Sequence, residues 1–389
     1  MALPLSYNWR NLLARKVSSG LTFTVVTVVV LVLAVLLSFS AGIGASLVAS
    51  GSSRNILVLK PGATAESTSI IIPSECVQVM QTPGAAIGPD GRPLISQEIC
   101  VQTSIPRRGG GAMANVAVRG IDLVGLSVHD EVKIVEGRCF EPGLLEVIVG
   151  KAAAERYEGL TLGSRIKLGR FGNRDCEIVG IFESGGSAFE SELWAPRSTI
   201  ADSYARSLAS TIVVKLDDPA SAPAAMAYIK GPTVQLLPRL ETAYYADLLA
   251  KTRQIVAVTG ILVFIMSIGA VFAVANTMYA AVDGRRREIA MLRTIGFSRA
   301  VIVASFVIES VILCLAAAVF GLALGGLLNG SRQDFLSDTT WTVLAFELRV
   351  TPGVALSSLA LATVVGVAGA LVPAIKAARV PILEALRKA

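Results

Sequence analysis

Histidine is nearly absent from this chain: His129 is the only one in 389 residues. Imidazole-based acid–base chemistry and zinc ligation through histidine pairs therefore have no raw material. No GxxxxGK[ST] phosphate loop occurs; Gly150-Lys151 is followed by Ala152, without the upstream glycine at the required spacing. A GxSxG nucleophile elbow, a CxxC pair and a His/Cys metal spacing are missing too. The sequence thus reads as a non-catalytic chain with no cofactor or metal of its own. Charge is also scarce, at 16% of residues against about a quarter in soluble domains.

What is present instead is a set of long charge-free windows. Leu21–Ser53, Gln254–Val282 and Val350–Ile375 carry no charged side chain, and Ala300–Gly330 carries only Glu309. Each exceeds the ~20 residues needed to cross a bilayer core. The expected fold class is membrane α-helical, with four transmembrane helices and a large α+β extracytoplasmic domain inserted between the first and second spans. The apolar run after residue 20 is about twice the usual 7–15 residues of a cleaved signal peptide, which favours a retained span.

The net charge of +6 resolves by location. Residues 1–20, 283–299 and 376–389 hold 12 basic and 3 acidic side chains, whereas residues 54–253 hold 21 and 22. An excess of Lys/Arg marks cytoplasmic segments. Both termini are therefore expected inside and the large region outside. The basic character reports topology, so no nucleic-acid partner is implied; membrane lipid is.

Expected boundaries follow in order. Residues 1–20 form an amphipathic interfacial helix, with Leu5, Trp9, Leu12 and Leu13 on one face. Residues 21–53 are the first span and a stalk, 54–240 the outer domain, and 241–282 a second stalk and span. Residues 283–299 connect to the third span at 300–330. An outer loop at 331–349, the fourth span at 350–375 and a tail at 376–389 follow. Inside the outer domain, strands are expected at 95–105, 114–118, 211–216 and 233–237. The runs KIVEG, LEVIVG, RIKLG, CEIVGIFE and ELWAP add more, forming a block at 132–200 inserted into a two-part domain. Helices are expected at 73–81, 151–157 and 220–230.

Cys76, Cys100, Cys139 and Cys176 lie in the outer region and Cys314 in a span. Cys76 and Cys100 flank a Pro/Gly-rich excursion that a disulfide would tether; free, buried thiols are the alternative. Gly321 and Gly325 form a GxxxG pair, and Gly366 and Gly369 crowd the end of the fourth span, where small residues let helices approach closely. Glu309 is the one ionisable residue within a span and should face protein or water. A hydrogen bond to a neighbouring helix is the first reading, a proton or substrate role the second.

The connection Asp283–Arg299, DGRRREIAMLRTIGFSR, places Ile289, Leu292, Ile295 and Phe297 at roughly helical spacing, with Gly296 positioned to end the turn. A short amphipathic helix along the inner face is one reading. A solvated basic loop touching anionic lipid is the other.

This stretch, REIAMLRTIGFSR, resembles the coupling segment of MacB/FtsX-type permeases of ABC transporters, and Glu309 matches a glutamate in their third span. The segment LVPAIKAARVPILEALR (371–387) is similar to that family's tail, and EGRCFEPGLLEVIVGKAAAERY, GSRIKLG and CEIVGIFE to its periplasmic core domain. The cysteines and the 83–112 segment depart from the common pattern. The resemblance implies that Glu288, Met291, Leu292, Ile295, Gly296 and Phe297 contact a separate ABC ATPase subunit, with Arg287 and Arg293 at the rim. ATP and Mg would bind to that partner. It further implies a bacterial inner-membrane location, a second permease chain, identical or a sister, a periplasmic adaptor in some members, and ATP-driven motion passed through the stalks to drive export of a substrate. The alternative function is a regulatory subunit controlling an extracytoplasmic partner such as a cell-wall hydrolase or sensor.

Overall fold

The computed structural model describes residues 16–109, 112–170, 172, 174–336 and 343–379. The interfacial helix expected at 1–20 falls outside these up to residue 15, as does the tail beyond residue 379. In chain order, α1 (Lys16–Ala49) is followed by β1 (Asn55–Leu59), α2 (Pro73–Val79), β2 (Ile95–Pro106) and β3 (Met113–Ile121). Next come α3 (Leu123–Val128), β4 (Lys133–Gly137), β5 (Glu146–Gly150), α4 (Lys151–Arg156), β6 (Arg165–Leu168), β7 (Arg174–Glu183) and β8 (Leu193–Pro196). α5 (Arg197–Tyr204), β9 (Thr211–Lys215), α6 (Ala222–Lys230), β10 (Leu237–Leu240) and α7 (Glu241–Asp283) continue the chain. α8 (Arg286–Thr294), α9 (Arg299–Gly326), β11 (Arg332–Leu336), β12 (Val343–Glu347) and α10 (Pro352–Ala378) complete it.

The chain divides into two compact units. The first comprises residues 1–41, 252–331 and 348–389. Among the described residues, four helical stretches are long and apolar enough to cross a membrane: Ser19–Ala49, Val256–Asp283, Arg299–Gly326 and Pro352–Ala378. An α-helix satisfies its own backbone hydrogen bonds, which hydrocarbon cannot do. Local signals set the ends. Ser298 caps α9 by accepting the Val301 N–H, and Thr351 caps α10 by accepting the Val354 N–H.

Small residues decide how these helices pack. A Cβ on Gly321 would lie 2.9 Å from the Thr27 carbonyl oxygen, and one on Gly369 would lie 2.6 Å from Val274 Cβ. A Cβ on Gly366 would meet Val311 Cα at 3.1 Å, while Gly325 faces Ala34 at an ordinary 3.7 Å. All four glycines therefore make contacts within the chain: Gly321 and Gly369 are too close for a methyl group, and Gly366 is tight. Polar links join the same faces: Ser310 Oγ donates to Gly366 O at 2.9 Å and Thr27 Oγ1 to Ala317 O at 3.2 Å.

The second unit, residues 42–251 with 332–347, is mixed α/β. One ten-stranded sheet runs β10-β1-β9-β2-β3-β8-β5-β7-β4, with β6 on β7. β2 joins its two halves, because Ile95–Glu98 pair with β9 and Ile99–Pro106 pair with β3. The 132–200 block, expected as an insertion, supplies β4–β8 between the chain segments that form β1–β3 and β9–β10, and it continues the same sheet through the parallel pairing of β3 with β8. Among the described residues, one core gathers Ile56, Ile71, Cys76, Ile95, Val214 and Ile229, and another gathers Ile99, Val116, Val149, Ile178 and Leu193.

Several sequence expectations are corrected here. The strand expected at 233–237 is a turn containing Gln235 at φ +56°, and β10 begins at Leu237. Its Pro238 is tolerated because β10 is the terminal strand of the sheet order. The 331–349 loop contains the β11–β12 hairpin, and helices α3 and α5 are too short to show a helical period in sequence. The Cys76–Cys100 disulfide is not formed; both thiols are free and buried. Cys76 packs on the same core as Ile95, whereas Cys100 has the opposite parity on β2 and lines a cavity of about 50 Å³ with Glu66, Arg119 and Glu192. Alternate strand residues face opposite sides of a sheet, so the two thiols are kept apart.

Gly369→Ala is expected to destabilise the detergent-solubilised chain by about 1–3 kcal/mol through overpacking. Gly260→Ala, where nothing lies within 4 Å, is expected to leave it unchanged. Unfolding temperatures of the two variants check this, and equal values would contradict the close contact.

Candidate functional site

α8 has nine residues, too few to be stable alone in water, so its tertiary contacts define it. One row turns inward. Arg285, immediately before the helix, donates from Nη1 to Glu309 Oε2 at 2.9 Å and from Nη2 to Oε1 at 3.1 Å. Its Cζ lies 5.9 Å from the Phe306 ring centroid. Four residues on, Ile289 is buried in the helical core. After four more, Arg293 Nη1 donates to the Ala378 carbonyl at 2.6 Å, in the last turn of α10, where a cation is favoured by the helix dipole. The helix closes with the Phe297 N–H on Leu292 O and the Gly296 N–H on Arg293 O. Gly296 at φ +104° supplies the left-handed residue that this double turn requires.

The opposite row faces outward. Glu288, Met291, Leu292 and Ile295 stand at i, i+3, i+4 and i+7, one side of a helix. Glu288 is exposed, Met291 is 51% exposed, Ile295 73%, and Leu292 half-buried. Arg287 is also exposed and Phe297 half-buried. Two large apolar side chains presented together beside charged neighbours form the kind of surface that a protein partner covers.

Of the residues expected to dock, Glu288, Met291, Leu292 and Ile295 thus share one face, with Arg287 beside them. Arg293 does not lie at that rim; it points inward to α10. Glu309 remains the one charged residue of the 300–330 window, and it is bonded from outside that window by Arg285, a structural contact of the kind read first from the sequence. Only the rotation of α8 relative to α9 brings these two together, and their separation of 24 residues carries no local signal. Removing one partner of a buried pair typically costs about 3–5 kcal/mol.

Comparison with known proteins bears on both units. Residues 19–231 match the family model of the MacB-like periplasmic core domain, and residues 260–382 that of the FtsX-like permease C-terminal domain. This chain is a MacB/FtsX-type permease. It is 27% identical over 230 residues to the macrolide export ATP-binding/permease protein MacB of Neisseria meningitidis, covering 56% of this chain and 34% of that one. With the protein of the same name from Bordetella avium the identity is 25% over 317 residues, covering 74% and 45%. The chain therefore spans between a third and a half of these relatives' lengths. The periplasmic region of MacB from Actinobacillus actinomycetemcomitans is 14% identical, covers 53% of this chain and 94% of that one, and has a TM-score of 0.36.

The outer unit of this permease holds a buried charge network that the sequence reading missed. Arg119, 3% exposed, donates to Glu98 at 2.6 Å, to both oxygens of Glu192 at 2.8 and 2.9 Å, and to both oxygens of Glu66 at 3.1 Å. Its guanidinium also sits over Phe189. Glu98 in turn contacts His129 Nε2 at 2.9 Å. Glu241, the first residue of α7, accepts from Ser52 N at 3.0 Å and Asn55 Nδ2 at 2.9 Å, with its other oxygen 4.0 Å from His129 Nδ1. The lone histidine was the available signal, since a buried ionisable residue requires charged neighbours.

Burial pushes the Glu241 carboxyl up to about 7 despite the nearby His129 charge. Burial also works against charging His129, but Glu98 and its other carboxylate neighbours outweigh that and hold it well above the histidine range. For Glu98, burial is outweighed by His129 and Arg119, which bring it to about 2. The signs then follow. Glu98 contributes stability above 4.5 that is lost as pH falls towards 2. His129 contributes stability below 6.5 that is lost only as pH rises through its higher folded value. Between 4.5 and 7 the folded chain retains a proton on Glu241 that the unfolded chain has released, so stability falls with rising pH in that window. Burial raises Glu66 too, which acts in the same direction. Glu241→Gln is expected to flatten the fall in unfolding temperature across this range, and an unchanged slope would contradict the assignment.

Proposed function

We propose that this chain is the membrane-spanning permease subunit of an ABC transporter, with α8 as its coupling helix. The observation that carries the reading is the outward apolar row of Met291, Leu292 and Ile295 on a helix anchored through its inward row. The row docks on an ATPase partner bearing the phosphate loop that these 389 residues lack, and ATP with Mg binds there. The basic character of the 283–299 segment supports a cytoplasmic position for this face and for both termini, with the mixed α/β unit on the far side.

Motion of the ATPase then reaches the outer domain along α1 and α7. The 43 residues of α7 correspond to about 65 Å of helix against a core of about 30 Å. Roughly half of it therefore lies beyond the hydrocarbon as a stalk. A second permease chain completes the pair expected of the family, and a periplasmic adaptor receives the substrate. Export is the direction favoured by the macrolide export proteins it matches.

Met291 and Ile295 are exposed, so charging them leaves the fold nearly unaffected. The double variant Met291→Asp/Ile295→Asp is expected to lower recovery of the co-purifying ATPase by about tenfold or more, since burying each side chain is worth about 1.5–3 kcal/mol. Undiminished recovery, with ATP hydrolysis still dependent on the permease, would overturn the docking assignment.

A further inference from the structure

We propose that Arg285 and Glu309 are positioning residues that set the rotation at which α8 presents its docking row, and that Glu309 carries neither proton nor substrate. The inference rests on the coupling-helix reading for its consequence, though not for its geometry.

Only Gly284 and Arg285 separate the end of α7 from the start of α8. Arg285 has φ −120° and ψ 15°, outside the helical region, and no side chain caps the helix there. Its carbonyl nevertheless accepts the Ile289 N–H at 3.0 Å and so opens the first turn of α8. The residue that starts the helix is thus the one whose guanidinium is fixed to α9. A two-pronged arginine–carboxylate contact defines a plane as well as a distance, and so resists rotation in a way that a lysine ammonium does not. At the other end, Arg293 holds the last turn of α10. α8 is consequently a crossbar tied to two different spans. A rotation of one residue, about 100°, would carry Met291 and Ile295 off the outer face.

The same contact argues against a transport role for Glu309. Its side chain is buried, and both oxygens are engaged by one guanidinium. The charge-free windows of the other three spans offer no second acidic or basic group to continue a relay.

Three variants test the proposal: Arg285→Lys keeps the charge without the fork, Glu309→Gln keeps the shape without the charge, and Arg285→Met/Glu309→Met removes both charges at similar volume. Amide hydrogen exchange of residues 286–297 is measured on the detergent-solubilised chain alone, and ATP hydrolysis on the chain with its co-purifying ATPase. Exchange is expected to rise about tenfold or more in all three, and permease-dependent hydrolysis to fall. The double methionine variant is expected to regain wild-type unfolding temperature while its α8 amides still exchange fast, which a purely stabilising pair would not do. Wild-type exchange in the double variant, or lost hydrolysis in Glu309→Gln with wild-type exchange, would overturn the proposal. Because exchange is read without the ATPase, failure of the docking assignment in Met291→Asp/Ile295→Asp leaves this test intact.

Discussion

An ionised side chain in hydrocarbon costs about 2.5–3.5 kcal/mol even on the gentlest insertion scales, and this constraint organises the whole chain. It empties three of the four apolar windows of charge and leaves one charged residue, Glu309, in the window of the third span. It demands a partner for that residue, and Arg285 supplies one with two hydrogen bonds. It also gathers the basic residues into the short segments between and beyond the spans. One of those segments is the crossbar helix α8. The burial of its Ile289 and the inward turn of Arg285 and Arg293 leave Met291 and Ile295 facing outward. Exclusion of charge from the spans and presentation of an exposed apolar row on α8 are therefore two outcomes of one requirement.

The outer unit solves a related problem in a different way. Arg119, Glu66, Glu98, Glu192, His129 and Glu241 are largely removed from water, so each must be bonded or paired. The network begins at the first residue of α7 and ends at the parallel seam where β3 meets β8. Glu241 binds the segment that follows α1 through Ser52 and Asn55. The outer ends of two long helices are thereby tied by one carboxylate, whose protonation is poised near neutrality.

Much of this architecture was legible in sequence, for identifiable reasons. Charge-free windows longer than a bilayer are unambiguous, and the short strands KIVEG and RIKL appear where expected because glycines bound them. For α8 the sequence left an amphipathic helix and a solvated basic loop both open, although the terminator Gly296 was local and readable. The direction of Arg293 was not legible, because a few apolar positions leave the rotation of a short helix undetermined. Neither was the Arg285–Glu309 pair, nor the five-bond arrangement around Arg119, since both join distant parts of the chain. The expected Cys76–Cys100 bridge failed on strand parity, which proximity in sequence does not report. β10 was misplaced because Pro238 discourages a strand assignment that the edge of a sheet permits.

The proposed orientation, with the apolar row of α8 in the cytoplasm and the sheet domain outside, is tested most directly by thiol labelling from each face. A membrane-impermeant maleimide is applied to intact cells or spheroplasts and to permeabilised ones, with the half-exposed native Cys139 replaced by serine. Met291→Cys is predicted to react only after the inner membrane is opened, and Asp90→Cys, on an exposed turn of the outer domain, before it. Labelling of position 291 from outside, or protection of position 90 until the inner membrane is breached, would contradict the account.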